Sequence, residues 1–370
     1  GPKLRHTAVS WLPLYHDMGL VGSVFASLAH PSDLILIPPE YFVSRPAIWL
    51  RTISRYHGTV SPAPNFAYGL CADRIRDEEL EGVDLSSWCL ALNGAEPVTP
   101  IVLRRFLERF RRYGLREESL TPVYGLAEAT LALTFSDPLG VVRAHTFDRR
   151  ALAGDGIARI ATDGQELASV GTPLAGYEIR IVDEDGEALE AGRLGRVLAR
   201  GPSITSEGLQ DGWLNTGDAG FLFEGELHLY GRNKDLVVLR GRNYAPQDIE
   251  HALDGLAHLR SGCLAAIGVV PESGEGEELV VLAERNRASN SSTDSHLSAE
   301  IRERILDRIG LTVDNVRVLE PGTLPRTSNG KIRRNEARRQ YLLGTLRPPK
   351  RFVPWRIASE MILSLASRGK

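Results

Sequence analysis

The stretch Leu120-Thr-Pro-Val-Tyr-Gly-Leu-Ala-Glu-Ala-Thr130 joins an apolar run to a glycine turn that carries a tyrosine and a glutamate. Leu120–Val123 predicts a strand, and Tyr124–Thr130 follows its carboxyl end. The ligands of α/β sheets bind outside the carboxyl ends of the strands. Glu128 is therefore a candidate Mg²⁺ ligand, because Mg²⁺ takes hard oxygen donors, and Tyr124 is a candidate for stacking on a base. An ordinary turn with a surface glutamate would have the same sequence.

Strands and amphipathic helices alternate around this stretch, over residues 7–140. Asp33–Pro38 is an apolar run that predicts a strand buried on both faces. A helix is expected to begin at Pro100, with Thr99 as its N-cap, and to end at Gly114. This alternation predicts a layered α/β subdomain.

The composition changes after residue 140, where Gly, Asp and Glu become frequent. Tyr177–Val182 and Arg196–Ala199 predict strands, and Asp183–Gly186 predicts a turn between strands. We therefore expect a mostly β subdomain over 141–232. A small α+β domain over 233–345 and a basic amphipathic tail over 346–370 are expected to follow.

The composition excludes several classes of protein. The chain has 370 residues, 42% hydrophobic residues, 25% charged residues and a net charge of −3, which suits two or three folded domains and argues against disorder and nucleic-acid binding. Cys71, Cys89 and Cys263 form no CxxC pair, so we expect buried thiols in a reducing, cytoplasmic compartment. Apolar runs such as Leu264–Val270 are far shorter than the ~20 residues of a membrane span.

Two further segments suit a ligand beside a strand end. Trp11-Leu-Pro-Leu-Tyr-His-Asp-Met-Gly-Leu20 carries a histidine–aspartate pair, which suits either a ligand site or a structural turn. Asn93-Gly-Ala-Glu-Pro97 follows the apolar run Cys89–Leu92, and a glycine after a strand lets a flat ligand approach the backbone closely. A plain strand-to-helix turn is the alternative for this second segment.

Two later segments supply polar groups. Asn215–Asp218 and Gly231–Asp235 contain Asp218, which can accept two hydrogen bonds from a ribose diol, and Arg232, a rigid donor fork. Arg326-Thr-Ser-Asn-Gly-Lys-Ile-Arg-Arg334 places a lysine after a flexible loop, where it can act as a mobile point charge. A solvated basic run is the alternative.

In this order and at these separations, the segments resemble the adenylate-forming superfamily, from about Val9 to about Tyr341. Within it the sequence is most similar to fatty acyl-AMP ligases. The motifs that carry this resemblance are Trp-Leu-Pro-Leu-Tyr-His-Asp-Met-Gly (11–19), Ala-Pro-Asn-Phe-Ala-Tyr (63–68), Asn-Gly-Ala-Glu-Pro-Val (93–98), Tyr-Gly-Leu-Ala-Glu-Ala-Thr (124–130) and Arg-Gly-Arg-Asn…Pro-Gln-Asp-Ile-Glu (240–250). The family's characteristic insertion is placed within 143–170.

The resemblance implies a role for each matching residue. Nucleotide binding falls to Asn93, Gly94, Ala95, Glu96, Tyr124, Gly125, Asp218 and Arg232. The catalytic set is Lys331, Glu128 with Mg²⁺, and His16. The acyl tunnel is bordered by Asn65, Phe66 and Gly69, and Lys234 is the hinge about which the small mobile C-terminal domain rotates.

The implied reaction uses ATP and Mg²⁺ to convert a long-chain fatty acid into acyl-AMP, and delivers the acyl group to an acyl carrier protein. A carboxylate and an α-phosphate repel by about 4 kcal/mol at ~4 Å and an effective dielectric near 20, so Mg²⁺ and Lys331 would offset this repulsion. The eleven Lys/Arg and two Glu from residue 331 to 370 suit an acidic carrier protein, an anionic lipid surface or plain solvation.

Three departures from the family pattern keep alternatives open. The family's Ser/Thr/Gly-rich phosphate loop is absent before the histidine–aspartate segment, so we expect a fragment, one half of a two-part enzyme or a degenerate homologue. Gly201–Trp213 is compressed, and Tyr244-Ala-Pro246 replaces His-Tyr-Pro. The alternatives are a fatty acyl-CoA ligase and a non-catalytic, carrier-binding remnant. The sequence does not fix the oligomeric state.

Overall fold

The computed structural model describes residues 6–271, 276–286, 294–327 and 331–348. The chain divides into two compact units, each considered by itself. The first comprises Gly1–Ala252 with Val270–Glu278, and the second comprises Leu253–Val269 with Leu279–Lys370. The division falls at Ala252, whereas the boundaries expected at residues 140, 232 and 345 stay predictions.

The first unit is built on a sheet whose strand order is β2-β1-β3-β4-β5-β6-β9, with the first five strands parallel. Its strands are β1 (Thr7–Ser10), β2 (Asp33–Leu36), β3 (Val60–Ala63), β4 (Leu90–Asn93), β5 (Leu120–Tyr124), β6 (Thr134–Phe135) and β9 (Thr172–Pro173). The two last-named strands are antiparallel to their neighbours. The carboxyl ends of β1, β3, β4 and β5 therefore meet at one edge, as the sequence alternation predicted.

Helices connect the parallel strands. They are α1 (Asp17–Gly19), continued by a π-helical segment at Leu20–Phe25, α2 (Ala26–Ala29), α3 (Pro39–Ser44), α4 (Ala47–Tyr56), α5 (Asn65–Arg74) and α6 (Pro100–Phe110). Their apolar faces bury an aromatic cluster in which Trp49 contacts Tyr68 and Trp88 edge-on, with ring centroids 5.6 and 5.1 Å apart. Such pairs add about 0.5–1.5 kcal/mol beyond the area that they bury. This core fixes the strand ends that carry the site.

A second, antiparallel sheet follows in the same unit, in the order β10-β11-β12-β13. Its strands are β10 (Glu178–Val182), β11 (Gly195–Arg200), β12 (Leu214–Phe223) and β13 (Glu226–Arg232). Two hairpins accompany it: β7 (Ala144–Phe147) with β8 (Gln165–Ala168), and β14 (Val237–Leu239) with β15 (Arg242–Tyr244), followed by α7 (Pro246–His251). The mostly β character expected after residue 140 is confirmed.

The second unit is a three-stranded sheet with helices. It contains β16 (Leu259–Val269), β17 (Glu278–Arg285), β18 (Asn315–Leu319), α8 (Asp294–Ile309) and α9 (Arg334–Leu342). Glu284 is fully buried in its sheet, where it accepts a hydrogen bond from the backbone N–H of Leu324 at 2.9 Å and pairs with Arg260. A small α+β unit of this kind was predicted, although its tail from residue 349 lies outside the described residues.

One local prediction needs correction, and another is confirmed in position only. Asp33–Leu36 is an edge strand, and Leu36 is 48% exposed, so the prediction of a strand buried on both faces is wrong. An apolar run is equally compatible with an edge position when its face is uncovered. Thr99 does occupy the N-cap position of α6, but its side chain makes no capping hydrogen bond and is used elsewhere.

The remaining structural expectations concern thiols and membranes. Cys71 and Cys263 are buried, Cys89 is half-buried, and all three are free thiols, as predicted. Within the described residues, no helix has the length and apolarity needed to cross a membrane.

Candidate functional site

The segments after β4 and β5 meet at the carboxyl edge of the parallel sheet. Asn93 lies beside Pro122 in the register of the two strands. A Cβ added at Gly94 would lie 2.7 Å from Val123 Cγ2 and 2.9 Å from Val123 O, and one at Gly125 would lie within 2.7 Å of backbone atoms of the following turn. Both glycines are therefore required by close backbone approach. At this edge Gly94 is buried and Gly125 is half-buried.

Tyr124 and Asp218 join the two sheets at this edge. The Tyr124 hydroxyl donates to Asp218 Oδ2 at 2.6 Å, and Arg232 Nε lies 3.1 Å from Asp218 Oδ1. The backbone N–H of Asp218 donates to Thr216 Oγ1 at 3.2 Å. An ionised carboxylate has about four acceptor positions, so the two oxygens keep capacity for two further donors such as a ribose diol. Three residues predicted separately from the sequence are thus in direct contact.

The Asp218 carboxyl has a mixed electrostatic environment. Burial raises its pKa above the ordinary value, while the hydrogen bond from Tyr124 and the charge of Arg232 oppose that rise. The carboxylates of Asp235 and Glu128 add to the rise. Burial also raises the pKa of the Tyr124 phenol, which keeps this hydroxyl a donor at neutral pH. The site is arranged to accept hydroxyl groups or positive charge.

A buried amide network underlies the segment after β4. Asn93 Nδ2 donates to Asn65 Oδ1 at 3.0 Å, and Asn65 Nδ2 donates to Thr99 Oγ1 at 3.2 Å. Thr99 Oγ1 lies 3.2 Å from His251 Nε2, so the network extends to α7. Asn93 Oδ1 is buried and has no partner among the described residues. Leaving such an acceptor unpaired costs about 1–3 kcal/mol, which suits an atom that a ligand satisfies.

Glu96, predicted to line a base, also contacts the start of α5, and its role in nucleotide binding stays a prediction. Its Oε1 accepts a hydrogen bond from the backbone N–H of Phe66 at 2.5 Å, at the start of α5. The preceding residue, Ala95, has a φ of 65°. Ala95 therefore adopts a left-handed conformation that is uncommon for alanine, and such strain clusters at ligand sites. The segment links the strand edge to the residues predicted for the acyl tunnel.

Glu128 lies exposed in a short turn, Ala127–Ala129, and this turn is held by a later loop. Ser203 Oγ donates to Ala129 O at 2.7 Å, and the backbone N–H of Thr205 donates to Glu128 O at 2.7 Å. Ser203 and Thr205 could not be predicted from the sequence, because the compressed 201–213 segment has no recognisable motif. A single exposed carboxylate fits Mg²⁺, which is usually bound by one or two carboxylates together with substrate phosphates.

The other predicted residues are not all brought to this edge. His16 caps α1 by accepting from the backbone N–H of Met18 at 3.3 Å, and its Nδ1 lies 2.6 Å from Asp17 Oδ1. Gly69 lies on α5, where an added Cβ would meet only Val102 Cγ1, at 3.6 Å. Lys234 is exposed just after β13. Lys331 belongs to the second unit, so its relation to the strand edge stays a prediction.

A layered α/β unit with a nucleotide-suited edge of this kind is the fold of adenylate-forming enzymes. The sequence model of the "AMP-binding enzyme" family matches residues 2–207, more than half of the chain. A structure from a study of fatty acyl-adenylate ligases of E. coli and L. pneumophila is 35% identical, covers 92% of this chain and 63% of its own, and superposes with a TM-score of 0.85. The chain belongs to the AMP-binding enzyme family.

Two curated relatives match this chain over similar shares of their lengths. A protein of Caulobacter vibrioides that is provisionally named an acyl-CoA synthetase is 37% identical over 357 residues, which are 91% of this chain and 61% of the relative. JamA of Moorena producens, a medium-chain-fatty-acid–[acyl-carrier-protein] ligase, is 35% identical over 365 residues, with coverages of 92% and 61%. The chain thus spans about 61% of the length of these relatives. The resemblance to fatty acyl-AMP ligases expected from the motifs is confirmed.

Proposed function

We propose that this chain binds ATP and a fatty acid and takes part in forming an acyl-adenylate. The observation that carries the proposal is the contact of Tyr124 and Arg232 with Asp218, at the strand edge where Gly94 packs against Val123. In this proposal Asp218 accepts the ribose hydroxyl groups, Tyr124 lies against the base, and Glu128 holds Mg²⁺. When bound, Mg²⁺ supplies positive charge that offsets repulsion between the carboxylate and the phosphates.

The finer parts of the proposal concern the acyl group and its acceptor. We infer delivery to the phosphopantetheine thiol of an acyl carrier protein in the cytoplasm, supported by the name of JamA and by three free thiols. We propose a long-chain acid, although the name of JamA specifies medium chains. Lys331 would contact the α-phosphate, and Lys234 would be the hinge.

A binding measurement tests the nucleotide site directly. Titration calorimetry with a non-hydrolysable fatty acyl-adenylate analogue should show saturable binding to the chain. Asp218→Asn should weaken this binding by about tenfold or more, because hydrogen bonds to a charged group contribute about 1.5–3 kcal/mol. Asp185→Asn is the matched control, since Asp185 is an exposed carboxylate in the Asp183–Gly186 turn.

The outcomes separate the candidate functions. No saturable heat from a folded wild-type chain would favour a remnant without a nucleotide site and contradict the proposal. If binding is present, the natural gene product should release pyrophosphate only with ATP, Mg²⁺ and a fatty acid. The Caulobacter relative keeps a fatty acyl-CoA ligase as the second candidate. Efficient thioester formation with free coenzyme A rather than with a carrier protein would establish it.

A further inference from the structure

The first unit contains a concave site whose lining includes none of Tyr124, Asp218 and Arg232. It is a cavity of about 360 Å³ formed by the segment 148–159 and the β14–β15 hairpin. Ligand pockets have volumes of about 300–1,000 Å³. Four of its lining residues are arginines: Arg150, Arg159, Arg240 and Arg242. We call these four residues the arginine cluster.

The four side chains of the arginine cluster are exposed to solvent. Some other arginines of this unit pair with carboxylates, as Arg104 does with Glu166 at 2.6 Å and Arg149 with Asp248 at 2.8 Å. In the part of the chain that the structure describes, no guanidinium nitrogen of the cluster lies within 4.0 Å of a carboxylate oxygen. Four like charges around one cavity repel one another unless an anion joins them.

The two carboxylates of the cavity do not cancel this charge. Asp148 Oδ1 accepts hydrogen bonds from the backbone N–H groups of Arg150 and Ala151, at 2.8 and 3.1 Å. Asp155 is the other acidic residue of the lining. Four guanidinium groups and two carboxylates leave a net charge of two positive, which suits a phosphate dianion.

The backbone of the hairpin positions two members of the cluster. Arg240 and Gly241 form its two-residue turn and have φ values of 51° and 75°, as a type I′ turn requires. Asn, Asp or Gly usually occupies the first turn position, so an arginine there is held against its own backbone preference. An added Cβ at Gly154 would lie 3.4 Å from Arg242 Nε, so the Arg242 side chain lies close over that backbone. The tight turn thus places Arg240 and Arg242 together in the lining of the cavity.

We propose that the arginine cluster binds the phosphate group of a phosphorylated small molecule. Guanidinium groups bind phosphate oxygens in a bidentate manner, and several of them around one concavity provide both charge and geometry. Free phosphate, pyrophosphate and a phosphate ester such as 4′-phosphopantetheine share this chemistry. The site does not depend on the nucleotide site at Asp218.

Arginine-selective modification with phenylglyoxal, mapped by mass spectrometry on the full chain, tests the proposal. Inorganic phosphate, pyrophosphate and 4′-phosphopantetheine are added in separate arms, with pantetheine as the matched ligand that lacks phosphate. Arg240 and Arg242 should be protected in at least one phosphate arm and unprotected with pantetheine. The arm that protects at the lowest concentration identifies the source of the phosphate.

Variants provide the second measurement. By calorimetry, Arg240→Gln with Arg242→Gln should weaken binding of the protecting ligand by about tenfold or more. Arg55→Gln, at an exposed arginine of α4, should leave it unchanged. Protection in no phosphate arm, equal protection by pantetheine, or unchanged affinity in the double variant would each overturn the proposal. Protection only by an acidic protein would also overturn the proposal and would show that the arginine cluster is a protein-binding surface.

Discussion

At the scale of single residues, the hydrogen bond from Tyr124 lowers the pKa of the Asp218 carboxyl and so opposes the effect of burial. Burial raises the pKa of Asp218, and the Tyr124 hydroxyl and Arg232 hold the rise in check. A carboxylate that must accept hydroxyl donors works only while it is ionised. The hydroxyl of Tyr124 acts on Asp218, whereas its aromatic ring is proposed to lie against a base, and the two roles are separable.

Tyr124→Phe separates these roles. Removing the hydroxyl should raise the pKa of Asp218 further. When the pH is lowered, the variant should therefore lose AMP binding at a higher pH than the wild type does. At neutral pH the affinity should change less than at acidic pH, because the lost hydrogen bond joins two protein groups and is absent from both the free and the AMP-bound variant. Dissociation constants measured across the acidic range check both effects. Tyr41→Phe, at an exposed tyrosine, is the control, and an unchanged pH midpoint would contradict the proposed coupling.

His228 gives a stability prediction that is independent of the site. Its ring is 1% exposed, it is stacked on Phe221 at 5.4 Å, and its Nε2 has no partner among the described residues. Burial lowers the pKa of His228 to about 4, whereas an unfolded histidine titrates near ~6.5. Between these two values the unfolded state binds more protons. The free energy of unfolding should therefore fall as the pH drops from ~6.5 to about 4, by at most about 3 kcal/mol.

His228→Phe should abolish this contribution. Phenylalanine keeps the stacked ring and removes both the titrating group and the unpaired nitrogen. In urea unfolding at several pH values, the free energy of unfolding of His228→Phe should depend less on pH below ~6.5 than that of the wild type. His30→Gln, a change at an exposed histidine of the same unit, should leave this pH dependence unchanged. If His228→Phe keeps the pH dependence of the wild type, His228 is not the cause of the loss of stability at acidic pH.

At the scale of elements, the site depends on how closely β4 and β5 approach each other. Gly94→Ala would place a methyl group 2.7 Å from Val123 Cγ2 and 2.9 Å from Val123 O, so the strand ends must separate. We expect a loss of about 1–3 kcal/mol in the free energy of unfolding and weaker binding of AMP. Denaturant titration and calorimetry measure the two effects.

Gly69→Ala is the matched substitution on α5. An added Cβ there meets only Val102 Cγ1, at 3.6 Å, and alanine stabilises a helix interior by about 0.5–1 kcal/mol relative to glycine. The variant should be at least as stable as the wild type. If Gly69 borders the acyl tunnel, it should also weaken binding of the acyl-adenylate analogue but not of AMP. Equal destabilisation by both glycine substitutions would show that close strand approach is not the cause.

The sequence predicted elements and motifs better than it predicted the use of individual polar side chains. Strand ends with glycine turns are local patterns, so Gly94 and Tyr124 could be placed at one edge before any coordinates. The Asn65–Thr99–His251 connection and the hydrogen bond from Ser203 to Ala129, next to Glu128, join residues that are remote in sequence. Such contacts depend on tertiary packing, so no local sequence pattern predicts them. The edge position of β2 was missed for the same reason, because burial of a strand depends on its neighbours.

At the scale of the whole molecule, binding and catalysis are assigned to different units. Asp218 and its partners lie in the first unit, whereas Lys331 lies in the second. Within the second unit, contacts with nearby residues fix the backbone around Lys331. The backbone N–H of Lys331 donates to Thr327 Oγ1 at 3.0 Å, and Arg326 and Ile332 form an isolated antiparallel β-bridge. A lysine that acts only on the phosphates should affect the reaction rate rather than nucleotide binding.

Lys331→Gln in the natural gene product tests this division. We expect fatty-acid-dependent ATP–pyrophosphate exchange to fall by about 10²–10³, the usual effect of removing one group that stabilises transition-state charge. The dissociation constant for AMP should stay within about twofold of the wild-type value, because AMP contacts are assigned to the first unit. Arg347→Gln, which removes an exposed positive charge from the same unit, should change neither quantity. Full exchange activity in Lys331→Gln would show that the lysine does not take part in catalysis. An equal loss of AMP affinity and exchange activity would show that the lysine contributes to nucleotide binding instead.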